Sequence, residues 1–152
     1  MAINERPGSL ARRYQQIAVA IFHAEVGAAG SDVTPVQYAA LVELRNRPGI
    51  DQATLAGLIA FDRTTIGGVV DRLASRGLLT RRVSEADRRA RTLEITQEAR
   101  ALIERVEPAV AAAQRRMLEG LDEDEAREFL RLLRKLVDAG NELSRAPLAP
   151  SP

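Results

Sequence analysis

Arginines are concentrated in residues 63–91 of the chain. This stretch holds eight arginines against three acidic residues, whereas residues 96–142 hold eight basic against eleven acidic residues. A guanidinium group binds phosphate through paired N–H donors, and a basic surface that neutralises phosphates releases counterions from a nucleic acid. The distribution of charge therefore indicates a phosphate-bearing partner for residues 63–91. A solvated charged surface without any partner is the alternative interpretation.

The residues around these arginines predict a helix followed by a hairpin. Asp62 is a suitable N-cap, and Gly77 stands where a left-handed C-terminal cap favours glycine. Four apolar residues at helical spacing predict the buried side of the helix: Ile66, Val69, Val70 and Leu73. Two strand-like runs follow, at residues 78–83 and 92–95, with a polar loop between them. A helix beside a basic hairpin is typical of winged helix-turn-helix proteins, in which the helix enters the major groove and the wing reaches the backbone or the minor groove.

Helix signals on both sides of the hairpin predict a mainly α fold with a small β-wing. The residues expected to cap the other helices are Thr34, Asp51, Thr96 and Asp122. Helices are predicted over residues 9–26, 34–46 and 52–60, then from 96 to about 120, and from 122 onwards.

This order of elements predicts a winged helix-turn-helix DNA-binding region over residues 34–95. The first and last helices carry apolar stripes without an evident partner in so small a core, and a two-fold dimer would cover them. We therefore expect residues 9–33 and 96–142 to form a helical dimerisation region. Residues 1–8 and 143–152 are expected to be flexible tails. A monomer with a larger helical bundle is the alternative.

Two motifs in this region resemble those of a known family: Arg72-Leu73-x-x-x-Gly77-Leu78-Leu79 and Asp87-x-Arg89-x-x-x-Leu93-x-Ile95-Thr96. In this order they are similar to the MarR-type transcriptional regulators, and the resemblance covers roughly residues 10–140. It implies a homodimer that binds a double-stranded DNA operator, a pseudo-palindrome whose half-sites are about one helical turn apart. It also implies that Asp87 orients Arg89, which enters the minor groove.

The resemblance and the arginine pattern together indicate one set of DNA-binding residues: Gln52, Arg63, Thr64, Thr65, Arg72, Arg88, Arg89 and Arg91. Each could instead be an ordinary solvated residue of a helix or loop. A DNA-binding architectural protein without a sensor function is the alternative to a ligand-controlled repressor.

Many proteins of the MarR type bind small aromatic acids between the first, second and fifth helices. The phrases Arg12-Arg13-x-x-Gln16-Ile17-Ala18 and Thr34-Pro35-x-Gln37-Tyr38 are similar to those of regulators of aromatic-acid catabolism, which implies a hydroxybenzoate-like or nicotinate-like effector. Such a site needs a cationic anchor and apolar walls. The candidate effector-binding residues are Arg13, Gln16, Ile17, His23, Tyr38, Leu41 and Arg45. A buried helical seam with surface arginines is the alternative explanation.

The composition argues against an enzyme and against a bound cofactor. The chain has no cysteine and a single histidine, His23, so thiolate metal sites, disulfides and Ser-His-Asp chemistry lack their residues. No apolar run approaches the roughly 20 residues that cross a bilayer. We expect a cytoplasmic protein that has no membrane partner.

Overall fold

The computed structural model describes residues 2–84 and 91–150. Within these ranges the helices are α1 (Pro7–Ala28), α2 (Pro35–Asn46), α3 (Gln52–Leu58), α4 (Arg63–Ser75), α5 (Gln97–Arg116) and α6 (Glu123–Ala139). The strands β1 (Leu79–Val83) and β2 (Arg91–Ile95) form an antiparallel hairpin in which Leu79 lies opposite Ile95. The prediction of a mainly α fold with a small β-wing is confirmed.

Side-chain caps begin five of the six helices, because each supplies an oxygen to a free amide of the first turn. In each case the side chain accepts a hydrogen bond from the backbone N–H three residues later, and the five caps are Thr34, Asp51, Asp62, Thr96 and Asp122. At Thr34 the Gln37 side chain also accepts a hydrogen bond from the Thr34 backbone N–H over 3.1 Å, which completes a capping box. These predicted helix starts are confirmed.

The end of α4 and the start of α5 are tied together at one point. Gly77 has a φ of +70°, in the left-handed region that favours glycine, and so the chain leaves α4 as expected. The Thr96 hydroxyl donates a hydrogen bond to the carbonyl oxygen of Gly77 over 2.8 Å and accepts one from the backbone N–H of Ala99 over 3.2 Å. Helix α4 is thereby fixed to the long helix α5.

One hydrophobic core joins α1, α2 and α5 to the winged part. Its largest fully buried side chains include Leu41, Leu55, Ile66, Leu93 and Ile103, which come from five different elements. The turn before α3 also pairs with β2: the backbone of Gly49 donates to Leu93 and Leu93 donates to Ile50, over 3.0 and 2.9 Å. The wing is therefore attached through β2 to the turn that precedes α3.

Helix α1 differs from its predicted bounds at both ends. A short 3-10 turn over Ile3–Glu5 precedes it, and Pro7 begins it at a position that tolerates proline because no amide donor is needed there. The helix continues through Gly27, and the left-handed residue at its end is Gly30, with a φ of +74°. Residues 3–5 and 7–8 therefore lie in helical turns, and the expected flexibility of residues 1–8 stays a prediction.

The chain does not leave the fold after α6. Asn141 and Leu148 exchange two hydrogen bonds, of 2.8 and 3.1 Å, and Ala149 donates its backbone N–H to the carbonyl of Gly57 in α3 over 2.8 Å. We call residues 141–150 the C-terminal segment. This segment contacts α3, and the expected flexibility of residues 143–152 stays a prediction.

The apolar face of α6 is exposed in the single chain. Phe129 packs edge-on against Tyr14 of α1, with ring centroids 5.5 Å apart. The next two turns carry large apolar side chains that are 39% to 72% exposed: Leu130, Leu132, Leu133, Leu136 and Val137. Single exposed leucines are common, but a continuous apolar face of this kind marks an interaction surface.

No single helix in the described ranges is long and apolar enough to cross a membrane. One bent pair of helices, α3 and α4 at 112° to each other, is long and apolar enough to do so when judged by length and composition alone.

Candidate nucleic-acid interface and ligand cavity

The first turn of α4 presents polar side chains around a carboxylate. Asp62 accepts the Thr65 backbone N–H over 3.0 Å and the Thr65 hydroxyl over 2.7 Å. These hydrogen bonds hold the pKa of Asp62 below its usual range, so the group is ionised at neutral pH. The hydroxyl proton of Thr65 is engaged here, and Thr65 can offer a ligand only its oxygen lone pair and its methyl group. Arg63 and Thr64 beside it are exposed.

Two predicted contact residues lie close to the glycines in the middle of α4. At Gly68 an added Cβ would stand 3.6 to 3.9 Å from the guanidinium of Arg72, so this guanidinium folds back over the glycine. At Gly67 it would stand 3.4 Å from the side-chain amide nitrogen of Gln52. Gln52, the first residue of α3, is therefore packed on the recognition helix.

The arginines of residues 63–91 fall into two groups by their partners. Three are bound to carboxylates, in the pairs Arg76–Asp32 (2.6 Å), Arg82–Glu94 (3.2 Å) and Arg81–Asp71. Within residues 2–84 and 91–150, Arg63, Arg72 and Arg91 form no ion pair, and all three are exposed. These three guanidinium groups are the ones most available to phosphates.

The predicted wing-tip residues lie outside the described residues. These are Asp87, Arg88 and Arg89. Arg91, at the first position of β2 opposite Val83, is the predicted wing contact that the structure places.

A cavity of about 290 Å³ lies between α1, α2 and α5. Its lining residues are Gln15, Ala18, Val19, Phe22, Pro35, Tyr38, Ala39, Val110, Gln114 and Met117. Apolar walls with a few polar groups are typical of small-molecule sites, and the volume is close to the lower end of their range. The polar side chains at this cavity are two amides and one phenol.

Tyr38 is the titratable group among these polar side chains, and its pKa is raised. Partial burial raises the pKa of Tyr38, and the nearby carboxylate of Glu107 raises it further against the opposite effect of Arg45. The phenol therefore keeps its proton at neutral pH and can donate a hydrogen bond. Its ring lies 6.2 Å from that of Phe22, tilted by 58°.

The structure brings only part of the predicted effector set to this cavity. Tyr38 lines it, but Leu41 is fully buried in the core and Arg45 forms a 3.6 Å ion pair with Glu107. The four predicted residues of α1 are exposed and do not line it: Arg13, Gln16, Ile17 and His23.

On α1 the difference from the predicted set concerns which side of the helix meets the cavity. At about 100° per residue, Arg13 and Ile17 point away from Ala18 and Phe22. Ile17 is accordingly 52% exposed, whereas Phe22 is buried. The i, i+4 and i+8 series Ala18, Phe22 and Val26 was the sequence signal for the inward side. Gln15 could be placed only once that side was known.

The winged geometry has counterparts among known proteins. The model of the MarR family matches residues 33–90. The HTH-type transcriptional repressor NicR of Pseudomonas putida is 31% identical over 137 residues, which are 90% of this chain and 85% of NicR. The chain belongs to the MarR family. It is a transcriptional regulator of the MarR type.

Solved structures of MarR-type regulators superpose on most of the chain. PcaV of Streptomyces coelicolor, solved in complex with its natural ligand, has a TM-score of 0.83 and 35% identity over 92% of this chain and 97% of its own. BpsR of Bordetella bronchiseptica has a TM-score of 0.84 and 32% identity, covering 91% of this chain and 97% of its own. The BpsR structure concerns the regulation of its DNA binding by 6-hydroxynicotinic acid.

Proposed function

We propose that this MarR-family regulator is a homodimeric repressor that binds a pseudo-palindromic operator and is released from it by a small aromatic acid of hydroxybenzoate or nicotinate type. The observation that carries the proposal is the apolar cavity between α1, α2 and α5, in a chain whose α4 and β2 present the exposed arginines Arg63, Arg72 and Arg91.

On the DNA side, α4 enters the major groove with its first turn leading. Arg63, Thr64 and Thr65 would then meet base edges or nearby phosphates, and Gln52 and Arg72 would bind the backbone. The wing would reach the adjacent minor groove through Arg88, Arg89 and Arg91, with Asp87 orienting Arg89. Phosphate contacts set the position of the protein on the duplex, and base contacts set the sequence that it prefers.

The dimer follows from the exposed apolar face of α6. Leu130, Leu133 and Leu136 lie within two turns of one helix. Covering this apolar surface with a second copy of the chain removes it from water, which stabilises the dimer. Closed two-fold symmetry is the commonest arrangement of such pairs. To bind half-sites one duplex turn apart, this dimer would hold its two α4 helices about 34–36 Å apart.

On the effector side, the apolar walls of the cavity would contact the aromatic ring of the ligand. The polar end of the ligand would meet a set of hydrogen-bond donors. Val19, Phe22 and Met117 would contact the ring. The Tyr38 hydroxyl and the amides of Gln15 and Gln114 would bind the carboxylate or ring hydroxyl. The regulation of BpsR DNA binding by 6-hydroxynicotinic acid supports a nicotinate-like effector as the first to test.

Binding in the cavity is linked to DNA through α5. Val110 and Gln114 line the cavity from the second half of this helix, whereas Thr96, the residue before its first turn, is bonded to Gly77 just after the end of α4. A ligand shifts such an equilibrium only by its differential affinity for the two arrangements of the helices, typically by about 1–3 kcal/mol.

The test is a titration of DNA binding with a panel of benzoates, hydroxybenzoates, cinnamates and nicotinates. The probe is an operator duplex selected by the wild-type protein from a random library. At least one acid should weaken binding by about 5- to 150-fold. Ala39→Leu, which fills the cavity, should remove this response and keep effector-free DNA binding. Ala24→Leu adds the same side chain at an exposed position of α1 and should respond like the wild type.

Arg13→Ala separates this site from the one expected from sequence. Since Arg13 faces away from the cavity, the variant should keep the response. If no acid on the panel changes DNA affinity, the effector part of the proposal is wrong, and a DNA-binding architectural protein becomes the better description.

A further inference from the structure

The C-terminal segment returns the chain from α6 to the helix-turn-helix. Its loop is closed by the two hydrogen bonds between Asn141 and Leu148, and its end is held on α3 by the 2.8 Å bond from Ala149 to Gly57. A Cβ at Gly57 would come within 3.1 Å of the Ala149 Cβ, so the close approach depends on glycine at that position. The segment is therefore fixed at two points.

These two fixed points place Arg145 beside the start of the recognition helix. Its guanidinium lies 3.5 Å from the Asp62 carboxylate, and its side chain is 90% exposed. Together with Asp62, Thr64 and Thr65 it borders an open cleft. Two of the residues proposed to contact DNA thus share a cleft with an arginine from the opposite end of the chain.

The charge of Asp62 gives Arg145 a physical role. Asp62 caps α4, and its carboxylate stands at the end of the helix that leads into the groove, where it would repel phosphates. Arg145 offsets that charge. A pair this exposed is held weakly, because water and salt screen it, so the guanidinium can exchange Asp62 for a phosphate oxygen at little cost.

We propose that Arg145 is a further DNA-binding residue, carried to the interface by the anchored C-terminal segment and acting on phosphates next to the first turn of α4. The inference rests on the proposed function, since it concerns the same DNA interface. A phosphate contact carries no sequence information, so Arg145 would strengthen binding to all duplexes alike.

The experiment compares Arg145→Ala with Arg127→Ala by fluorescence anisotropy over a salt series. Arg127, on α6, is an exposed arginine and its loss changes the net charge equally. The probes are the selected operator and a mixed-sequence duplex. Arg145→Ala should weaken binding to both probes by a similar factor and should reduce the slope of log K against log salt by about one per protomer. Arg127→Ala and Arg145→Lys should both keep the wild-type slope.

Asn141→Ala tests the anchor separately. This variant removes both hydrogen bonds to Leu148 and keeps the Arg145 side chain itself. Because the segment is then held less firmly beside α4, the variant should show part of the same loss of DNA binding. A wild-type result for Asn141→Ala would overturn the role of the anchor, and a wild-type slope for Arg145→Ala would overturn the inference as a whole. Failure of the wild-type protein itself to bind DNA would instead reject the proposed function.

Discussion

Arg72 gives the sharpest test of the DNA interface, because its guanidinium is exposed, unpaired among the described residues and held over Gly68. Arg72→Ala removes one proposed phosphate contact from each protomer. Nothing in the core changes, since the residue lies on the outer side of α4. The expected effect is therefore electrostatic and should appear in the salt dependence of DNA binding.

The size of the effect follows from counterion release. Each neutralised phosphate contributes about −0.9 to the slope of log K against log salt, so two lost contacts in a dimer should reduce the slope by about 1.8. Between about 50 and about 200 mM salt this amounts to a roughly tenfold change in the ratio of wild-type to variant affinity. The variant should thus differ most from the wild type at low salt.

The assay is fluorescence anisotropy with the selected operator at several KCl concentrations, with the oligomeric state checked at each. Arg76→Ala is the matched control. It removes the same charge one helical turn after Arg72, just beyond the C-terminal end of α4, where the guanidinium is bound to Asp32 at 2.6 Å. If Arg72→Ala keeps the wild-type slope, or if Arg76→Ala lowers it equally, the assignment of Arg72 to a phosphate is wrong.

Three other outcomes are expected. Arg89→Ala should weaken operator binding by roughly 1–3 kcal/mol in a titration at fixed salt, through loss of a minor-groove contact, and Asp87→Ala should give part of that loss; equal affinities for both variants and the wild type would reject the wing assignment. Leu133→Asp should put an unpaired charge in the dimer interface at a cost of several kcal/mol and yield monomers on sedimentation, whereas a wild-type protein that sediments as a monomer at micromolar concentration would exclude the dimer. Hydrogen bonds from the first turn of α3 lower the pKa of Asp51, so its contribution to stability is present above the ordinary aspartate value of about 3.9 and is lost as the pH falls through the lower folded value. Asp51→Asn, which keeps a good cap, should therefore show a weaker fall in melting temperature in that acidic range by circular dichroism; an unchanged pH dependence would count against the cap as its source.

The helix starts could be predicted from sequence because capping is local. Thr34 with Gln37, and Asp62 with Thr65, satisfy amides only three residues away, so the residue types and their spacing contain the whole interaction. The left-handed conformation at Gly77 is local in the same sense. The winged order of elements followed from these signals and the apolar periodicity.

The ligand cavity could be predicted only in outline, because α1 is apolar on more than one side. Both Tyr14 with Ile17 and Ala18 with Phe22 fit a helical stripe, and periodicity does not say which one packs on the chain's own core. The structure puts Phe22 inside and leaves Ile17 exposed.

The C-terminal segment was beyond sequence prediction for a different reason. Its attachment to α3 uses the backbone N–H of Ala149 and the backbone carbonyl of Gly57. Every residue except proline has both of these groups. Composition rich in proline and alanine predicts a free tail, and no side-chain pattern distinguishes it from a docked one.

The bond between Thr96 and Gly77 turns α5 into a lever with the recognition helix at one end. A helix of 20 residues is about 30 Å long, so a tilt of a few degrees at the cavity end sweeps the DNA end through a few ångströms. Under the proposed function, an inducer would not have to unfold or repack the winged helix-turn-helix region. The size of the bound ligand would set how far the spacing of the two recognition helices in the dimer departs from one turn of the duplex.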